Sequence, residues 1–161
     1  MTREPFRILF VCLGNICRSP TAEGVVRHLL ASRAPELEVE VDSAGTGDYH
    51  VGSAPDQRAQ RAARLHGIDL GDLRARQVEA KDFERFDLIL AMDRQNLQAL
   101  EVMRPRASRA ELALFLEYTG HPGAPEVPDP YQGTADDFEL ALDLIQAASR
   151  RLIALLREQH A

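Results

Sequence analysis

Residues Val11 to Pro20 read VCLGNICRSP and contain both cysteines of the 161-residue chain. The apolar run Phe6 to Val11 leads into this stretch, and its β-branched and aromatic residues predict a buried strand. Ser19 and Pro20 predict the start of a helix, with the hydroxyl as its cap and the proline at the first helical position. The intervening residues are therefore the loop between a strand and a helix.

The remainder of the chain continues this alternation of strands and helices. Apolar patterning predicts further strands over 37–41, 87–92 and 112–116, and further helices over 56–65, 94–103 and 134–157. This order predicts an α/β fold with a parallel sheet and helices on both faces, formed by residues 1–161 as a single domain. Ligands of such sheets bind beyond the carboxyl ends of the strands, where the first loop lies.

Composition restricts the partners and the compartment. The net charge of −6 argues against nucleic acid, and no apolar stretch is long enough to span a membrane. The N-terminal residues lack the apolar core of a secretory signal, so we expect a cytoplasmic protein whose thiols stay reduced. No long exposed apolar stripe is apparent in the sequence, which favours a monomer or a weak dimer.

The loop carries the residues of an anion site. Gly14 and Asn15 tolerate left-handed backbone, and backbone N–H groups beside a helix N-terminus attract phosphate. Nucleotide-binding loops require a lysine or several glycines, which this loop lacks. Cys12 and Arg18 instead form a C-x5-R pattern: a thiolate is a nucleophile toward phosphorus, and a guanidinium holds two phosphoryl oxygens. Ser19 can donate a hydrogen bond to the sulfur.

The segment Cys12 to Pro20 resembles the phosphate-binding loop of the low-molecular-weight protein tyrosine phosphatases. The resemblance covers nearly the whole chain and includes Asp42-Ser43-Ala44-Gly45-Thr46, His66-Gly67-Ile68, Ala75-Arg76-Gln77, Met92-Asp93 and Asp129-Pro130-Tyr131. It implies a four-stranded parallel sheet. It also implies that phosphotyrosine in proteins, and small aryl phosphates, are hydrolysed through a cysteinyl-phosphate without metal or other cofactor.

The resemblance assigns roles to individual residues. Cys12 is the nucleophile and Arg18 the phosphate clamp, while Asp129 is the general acid and base. Protonation of a departing phenolate requires such a group, and the prolines on both sides of Asp129 restrict its backbone. His50, His66 and His121 are rival proton donors that we expect to be structural or exposed.

The other implied roles concern loop support and phosphate binding. Ser19 stabilises the leaving thiolate, and Asn15 with Ser43 holds the loop in its strained shape. The backbone and side chains of the loop, from Leu13 and Gly14 through Ile16 and Cys17, surround the phosphate.

The aromatic slot for the substrate is expected between Leu13, Tyr49 and Tyr131. Three positions depart from the pattern of some relatives. Tyr49 stands where many relatives have tryptophan. Leu73 replaces a histidine that supports the loop asparagine, and Gln132 replaces a second tyrosine. Asp93 is expected to cap the helix that begins at Arg94. Contact with a loop arginine is the secondary expectation for this residue.

Four alternatives remain. An arginine phosphatase of the same fold often carries threonine at the position of Ile16, so isoleucine favours tyrosine phosphatase activity. A thiol-dependent arsenate reductase needs further cysteines, and none follows Cys17. A non-catalytic phosphate-binding module would not require Cys12, Arg18 and Asp129 together. A redox sensor that uses Cys12 and Cys17 is the fourth alternative. It is compatible with catalysis if a disulfide between the two cysteines protects the nucleophile.

Overall fold

The computed structural model describes residues 4–123 and 125–160, and these form one four-stranded sheet with helices around it. All neighbouring strands are parallel, in the order β2-β1-β3-β4. The strands are β1 (Phe6–Cys12), β2 (Val39–Gly45), β3 (Leu88–Ala91) and β4 (Glu111–Leu114). The described residues form the helices α1 (Arg18–Arg33), α2 (Gln57–Arg64), α3 (Asp82–Arg85), α4 (Arg94–Met103), α5 (Phe115–Tyr118) and α6 (Ala135–Gln159).

Strand β1 lies inside the sheet, and its side chains alternate between two layers of core. Ile8 and Phe10 belong to the larger cluster, which includes apolar residues of α1 and α6. Leu9 and Val11 belong to the cluster on the opposite face, with Phe83 of α3 among its members. Helices therefore cover both faces of the sheet, as the alternating order of elements predicts.

The register places the end of β1 between two other strand ends. Cys12 pairs with Gly45 at the end of β2, and Val11 pairs with Ala91 at the end of β3. Residues that follow β1 are thus flanked by the Ser43 region on one side and by Asp93 on the other. This is why residues distant in sequence converge on one loop.

Several element boundaries differ from the predicted ones. The second strand begins and ends later in the chain than the predicted 37–41. The fourth strand ends at Leu114, where α5 begins, and the short helix α3 is absent from the prediction. The prediction that Ser19 caps α1 is wrong, because the helix begins at Arg18 and the Ser19 hydroxyl contacts Cys12 instead. Helix α6 begins with a capping box formed by Thr134 and Asp137.

The single-domain prediction covers 1–161, of which residues 1–3, 124 and 161 lie outside the described residues, and it stays a prediction. None of the helices in the described part of the chain has the length and apolar character needed to cross a membrane.

Candidate active site

The loop between β1 and α1 is held in one shape, and Asn15, Ile16 and Cys17 within it are buried. Asn15 adopts left-handed backbone, with φ of 56°, as its sequence position predicts. A side chain at Gly45 would lie 2.7 Å from the carbonyl oxygen of Leu13, so the end of β2 must be glycine for the loop to approach it. The loop is therefore held against the sheet by close backbone contact.

Cys12 and Ser19 face each other inside this loop. The Sγ of Cys12 lies 3.0 Å from the Oγ of Ser19, and both residues are buried. When the sulfur is a thiolate it can only accept, so the serine hydroxyl donates. The N-terminus of α1 follows directly and also favours negative charge. This arrangement suits a sulfur that carries charge and later leaves as an anion.

Arg18 is buried in the floor of the same site, with 2% of its surface exposed. Its Nη1 donates to the Oδ2 of Asp93 at 2.6 Å and to the carbonyl oxygen of Val127 at 2.9 Å. Its buried Nε has no hydrogen-bond partner among the described residues. Burial lowers the pKa of Arg18, but the charge of Cys12 and the hydrogen bond to Asp93 raise it above its ordinary value. The guanidinium is thus charged, oriented and left with free donor capacity for an anion.

Asp93 has two functions in the structure. Its Oδ1 accepts from the backbone N–H of Asn96 at 2.8 Å, so the predicted cap of α4 is confirmed. Its Oδ2 is the acceptor for Arg18. The sequence favours the cap alone, whereas the structure shows that one carboxylate both caps the helix and orients the arginine.

Asp129 lies on the opposite side of the site, in the loop before α6. Its side chain is 43% exposed, and its Oδ2 is 3.6 Å from Nη2 of Arg18. Its Oδ1 accepts from the backbone N–H of Tyr131 at 3.1 Å. The carboxyl group therefore has access to solvent and to the space above the arginine, as proton exchange requires.

A network of side chains supports the loop from below. The Nδ2 of Asn15 donates to Ser19 at 2.8 Å and to Ser43 at 2.9 Å, and its Oδ1 accepts from the backbone N–H of Arg76 at 3.0 Å. Leu73, which replaces the expected histidine, packs against the apolar core. The Asn15 amide is thus satisfied without that histidine.

Two charged residues of this support were missed by sequence reasoning. The Arg76 side chain is fixed by Asp82 at 3.0 Å and Asp42 at 3.1 Å, so its amide is held in place for Asn15. Ser43 donates to the Oε1 of Glu23 at 2.6 Å, and Glu23 is 4% exposed. The signal for Glu23 was its position four residues after Ser19, which places both on one face of α1.

Burial raises the pKa of Glu23 even though hydrogen bonds from Ser43 and Arg27 lower it. A carboxyl whose pKa is higher in the folded state binds its proton more tightly there, so its contribution to stability falls as pH rises from the unfolded value of 4.5 toward the folded one. Glu23→Gln removes this dependence. We therefore expect the free energy of unfolding of the variant, relative to wild type, to increase from pH 4.5 to neutral pH in denaturant titrations.

The matched control for Glu23→Gln is Glu101→Gln, on the exposed part of α4. Its stability relative to wild type should not change in this direction over the same pH range. A constant difference between wild type and Glu23→Gln at all pH values would contradict a raised pKa.

A cavity of about 500 Å³ opens above the loop. Tyr49 and Tyr131 form exposed walls, and the His50 ring lies 5.9 Å from that of Tyr131. His50 thus lines the site, whereas the sequence favours a structural or exposed role for it. The full lining is Cys12, Leu13, Gly14, Ile16, Cys17, Arg18, Tyr49, His50, Asp129, Tyr131 and Gln132.

The cavity brings together most of the residues predicted for the site. Asn15, Ser19 and Ser43 are not part of its lining and instead form the hydrogen-bonded support beneath the loop.

Cys17 lines the same cavity but differs from Cys12 in its surroundings. It is buried, and burial raises the pKa of its thiol well above the ordinary value. Both cysteines are free thiols. The protective disulfide between them stays a prediction.

The chain is similar to known proteins over nearly its whole length. The family model described as low molecular weight phosphotyrosine protein phosphatase matches residues 7–161. The low molecular weight protein-tyrosine-phosphatase of Streptomyces coelicolor is 41% identical over 157 residues, which cover 96% of this chain and 95% of that protein.

Solved structures agree with the sequence matches. The crystal structure of YfkJ from Bacillus subtilis superposes with a TM-score of 0.91 at 35% identity, covering 100% of both chains. A protein tyrosine phosphatase from Entamoeba histolytica, solved with Hepes in the active site, gives a TM-score of 0.89 at 34% identity and covers 97% of this chain and 99% of that one.

Proposed function

The chain belongs to the low molecular weight phosphotyrosine protein phosphatase family, and we propose that it hydrolyses phosphotyrosine with Cys12, Arg18 and Asp129 as its catalytic residues. One observation carries these assignments. One cavity is lined by a buried cysteine with a serine hydroxyl on its sulfur, by a buried arginine whose Nε has no partner in the described part of the chain, and by an accessible carboxyl group. Each group is of the type that one step of the reaction needs.

In the first step the Cys12 thiolate attacks phosphorus. A sulfur–phosphorus bond forms, the bond to the phenolic oxygen breaks, and protonated Asp129 gives its proton to the departing oxygen. Arg18 and the loop N–H groups hold the equatorial oxygens of the transferring phosphoryl group. The Asp93 contact at 2.6 Å keeps the guanidinium aligned during this transfer.

In the second step water replaces sulfur on phosphorus. The Asp129 carboxylate takes a proton from the attacking water, an oxygen–phosphorus bond forms, and the sulfur–phosphorus bond breaks. The Ser19 hydroxyl, 3.0 Å from the sulfur, stabilises the thiolate as it leaves. Inorganic phosphate and the resting thiolate are the products.

The cavity walls favour an aromatic substrate. Leu13, Tyr49 and Tyr131 supply apolar and aromatic surface on which a phenyl ring can stack. Ile16 places an alkyl side chain in the lining, where a hydroxyl-bearing residue would favour phosphoarginine. We infer that the substrates are proteins with exposed phosphotyrosine, and that phosphate and related oxyanions bind in the loop.

The proposed chemistry and the composition of the site bear on the cellular location and the oligomeric state of the enzyme. A thiolate nucleophile requires a reducing compartment, so we infer a cytoplasmic location. The site is complete within one chain, because every proposed catalytic residue comes from the same polypeptide. We infer that the enzyme works as a monomer or a weak dimer.

Rapid-quench trapping tests the covalent step. Mixing the enzyme with a 32P-labelled phosphotyrosine peptide and quenching in acid should yield labelled protein, with the label on Cys12. The reaction should proceed in the presence of a metal chelator and should be inhibited by phosphate or vanadate. Turnover that requires an added metal, or the absence of any labelled intermediate, would contradict the mechanism.

Asp129→Asn tests the general acid. We expect kcat/KM for phenyl phosphate to fall by roughly 10²- to 10⁴-fold, because a basic phenolate leaves poorly without a proton. The loss should be much smaller for a dinitrophenyl phosphate, whose leaving group needs no proton. Steady-state kinetics over a series of aryl phosphates gives both numbers. An equal loss for all leaving groups would contradict the role of Asp129 as general acid, and His50, which also lines the cavity, would then be the candidate proton donor.

A further inference from the structure

The loop that carries Asp129 is tied to a distant helix by a single arginine. Arg58, in the first turn of α2, donates through Nη2 to the carbonyl oxygen of Tyr131 at 2.9 Å and through Nη1 to that of Gly133 at 3.3 Å. These acceptors follow Asp129 by two and four residues. The contact spans more than 70 positions of the sequence and joins α2 to the segment before α6.

The Arg58 side chain is itself held in place. Its Nη2 and Nε contact the carboxylate of Asp56 at 3.0 and 3.1 Å. Its guanidinium carbon lies 4.5 Å from the ring centre of Phe138 and 5.8 Å from that of Tyr131, within the range of cation–π attraction. A planar group fixed by an ion pair and a ring presents its remaining donors in one orientation.

The prolines on both sides restrict the Asp129 backbone, but its side chain makes few contacts among the described residues. Its carboxylate is 43% exposed and is 3.6 Å from Arg18, beyond hydrogen-bond distance. Within residues 4–123 and 125–160, its one hydrogen bond comes from the backbone N–H of Tyr131. The position of the Tyr131 backbone therefore sets the position of the carboxyl group, and Arg58 holds that backbone through its carbonyl.

We propose that Arg58 is a positioning residue that holds the loop of Asp129, and with it the ring of Tyr131, in the geometry for proton transfer. It acts through Tyr131 and does not contact the reacting atoms. Displacement of an acid by about 1 Å is enough to lower a rate substantially. The inference rests on the proposed function, in which Asp129 protonates the leaving group.

The test uses Arg58→Met, which keeps the length and apolar contacts of the side chain but removes its donors. We expect kcat/KM for phenyl phosphate to fall roughly ten- to hundredfold, and kcat/KM for a dinitrophenyl phosphate to change by less than about threefold. Inhibition by inorganic phosphate should stay within about twofold, because the loop around Cys12 is unchanged. Arg58→Lys keeps a positive charge but offers only one point of contact. Its kcat/KM for phenyl phosphate should therefore lie between those of Arg58→Met and wild type.

Arg61→Met is the matched control, since Arg61 is an exposed residue of the same helix. It should retain wild-type kinetics with every substrate. Melting temperatures of all variants separate loss of folding from loss of positioning, because partial unfolding reduces activity equally for all leaving groups.

A double-mutant cycle distinguishes positioning from a general structural effect. If Arg58 acts through Asp129, adding Arg58→Met to Asp129→Asn should cause no further loss that depends on the leaving group. Equal losses for good and poor leaving groups in Arg58→Met, or full additivity in the double variant, would overturn this inference alone. If Asp129→Asn itself showed no dependence on the leaving group, the proposed acid would be overturned and this inference with it.

Discussion

Cys12→Ser is expected to abolish hydrolysis while leaving the phosphate site in place. A serine hydroxyl is not ionised at neutral pH, so the site loses its nucleophile but keeps Arg18 and the loop N–H groups. Removal of a covalent nucleophile lowers kcat by several orders of magnitude in other hydrolases, and we expect a loss on the order of 10⁴-fold or more. Turnover of an aryl phosphate measures the loss, and isothermal titration with phosphate or vanadate measures the retained binding.

Cys17→Ser is the matched control, because both cysteines are buried and line the same cavity. Burial raises the pKa of Cys17, so its thiol stays protonated and takes no part in phosphoryl transfer. We expect kcat in Cys17→Ser to stay within a fewfold of wild type. Substantial activity in Cys12→Ser, or loss of activity in Cys17→Ser alone, would contradict the assignment of the nucleophile.

The same pair of variants addresses the redox hypothesis. Peroxide treatment followed by thiol reduction should restore wild-type activity but not that of Cys17→Ser, if Cys17 traps oxidised Cys12 as a disulfide. Equal recovery in both proteins would exclude the protective disulfide and leave hydrolysis by Cys12 unaffected.

Local patterns were enough to predict the sheet and the loop. The apolar run before Cys12, the Gly-Asn pair and the spacing from Cys12 to Arg18 are all determined within one short segment, where the chain must turn from strand to helix. The same local reasoning failed at Ser19. A hydroxyl before proline satisfies the rule for a helix cap. In the structure, however, the Ser19 hydroxyl forms a hydrogen bond with the sulfur of Cys12, seven positions earlier.

The residues that were missed owe their roles to distant parts of the chain. Arg58 is one of 18 arginines, and nothing near it indicates that its acceptors lie at Tyr131 and Gly133. Arg76 meets Asp42 across 34 positions, through the pairing of its segment with the end of β2. Charge alone does not reveal such a partner, since most arginines of a soluble domain face water.

Asp93 shows how an interpretation from sequence can be correct and incomplete. The cap of α4 is a local property and was predicted, whereas its second oxygen reaches Arg18 because β1 and β3 are neighbours in the sheet. The adjacency of these strands follows from topology, which the order of elements alone does not fix. In the proposed mechanism, this second contact aligns Arg18 for phosphoryl transfer.

Arg18→Lys is therefore expected to have an effect close to that of losing the nucleophile. An ammonium is a single point of charge and cannot keep the contacts to Asp93 and Val127 while offering a planar pair of donors to phosphate. Arginines that stabilise phosphoryl transfer contribute about 10³- to 10⁵-fold to kcat, and we expect a loss of kcat/KM in this range. The affinity for inorganic phosphate should fall less than kcat/KM, because Arg18 stabilises the transition state more strongly than it stabilises bound phosphate.

Two further variants test whether the loss of activity is specific to Arg18 and to its alignment by Asp93. Arg94→Lys changes an exposed arginine next to Asp93 and should retain wild-type kinetics. Asp93→Asn keeps a side-chain oxygen for the cap of α4 but removes the charge that aligns Arg18, and we expect a smaller loss than in Arg18→Lys. If Arg18→Lys kept activity within about tenfold of wild type at an unchanged melting temperature, charge alone would explain the role of Arg18. The planar geometry of the buried guanidinium would then have no catalytic purpose, and the contact between Asp93 and Nη1 would be structural only.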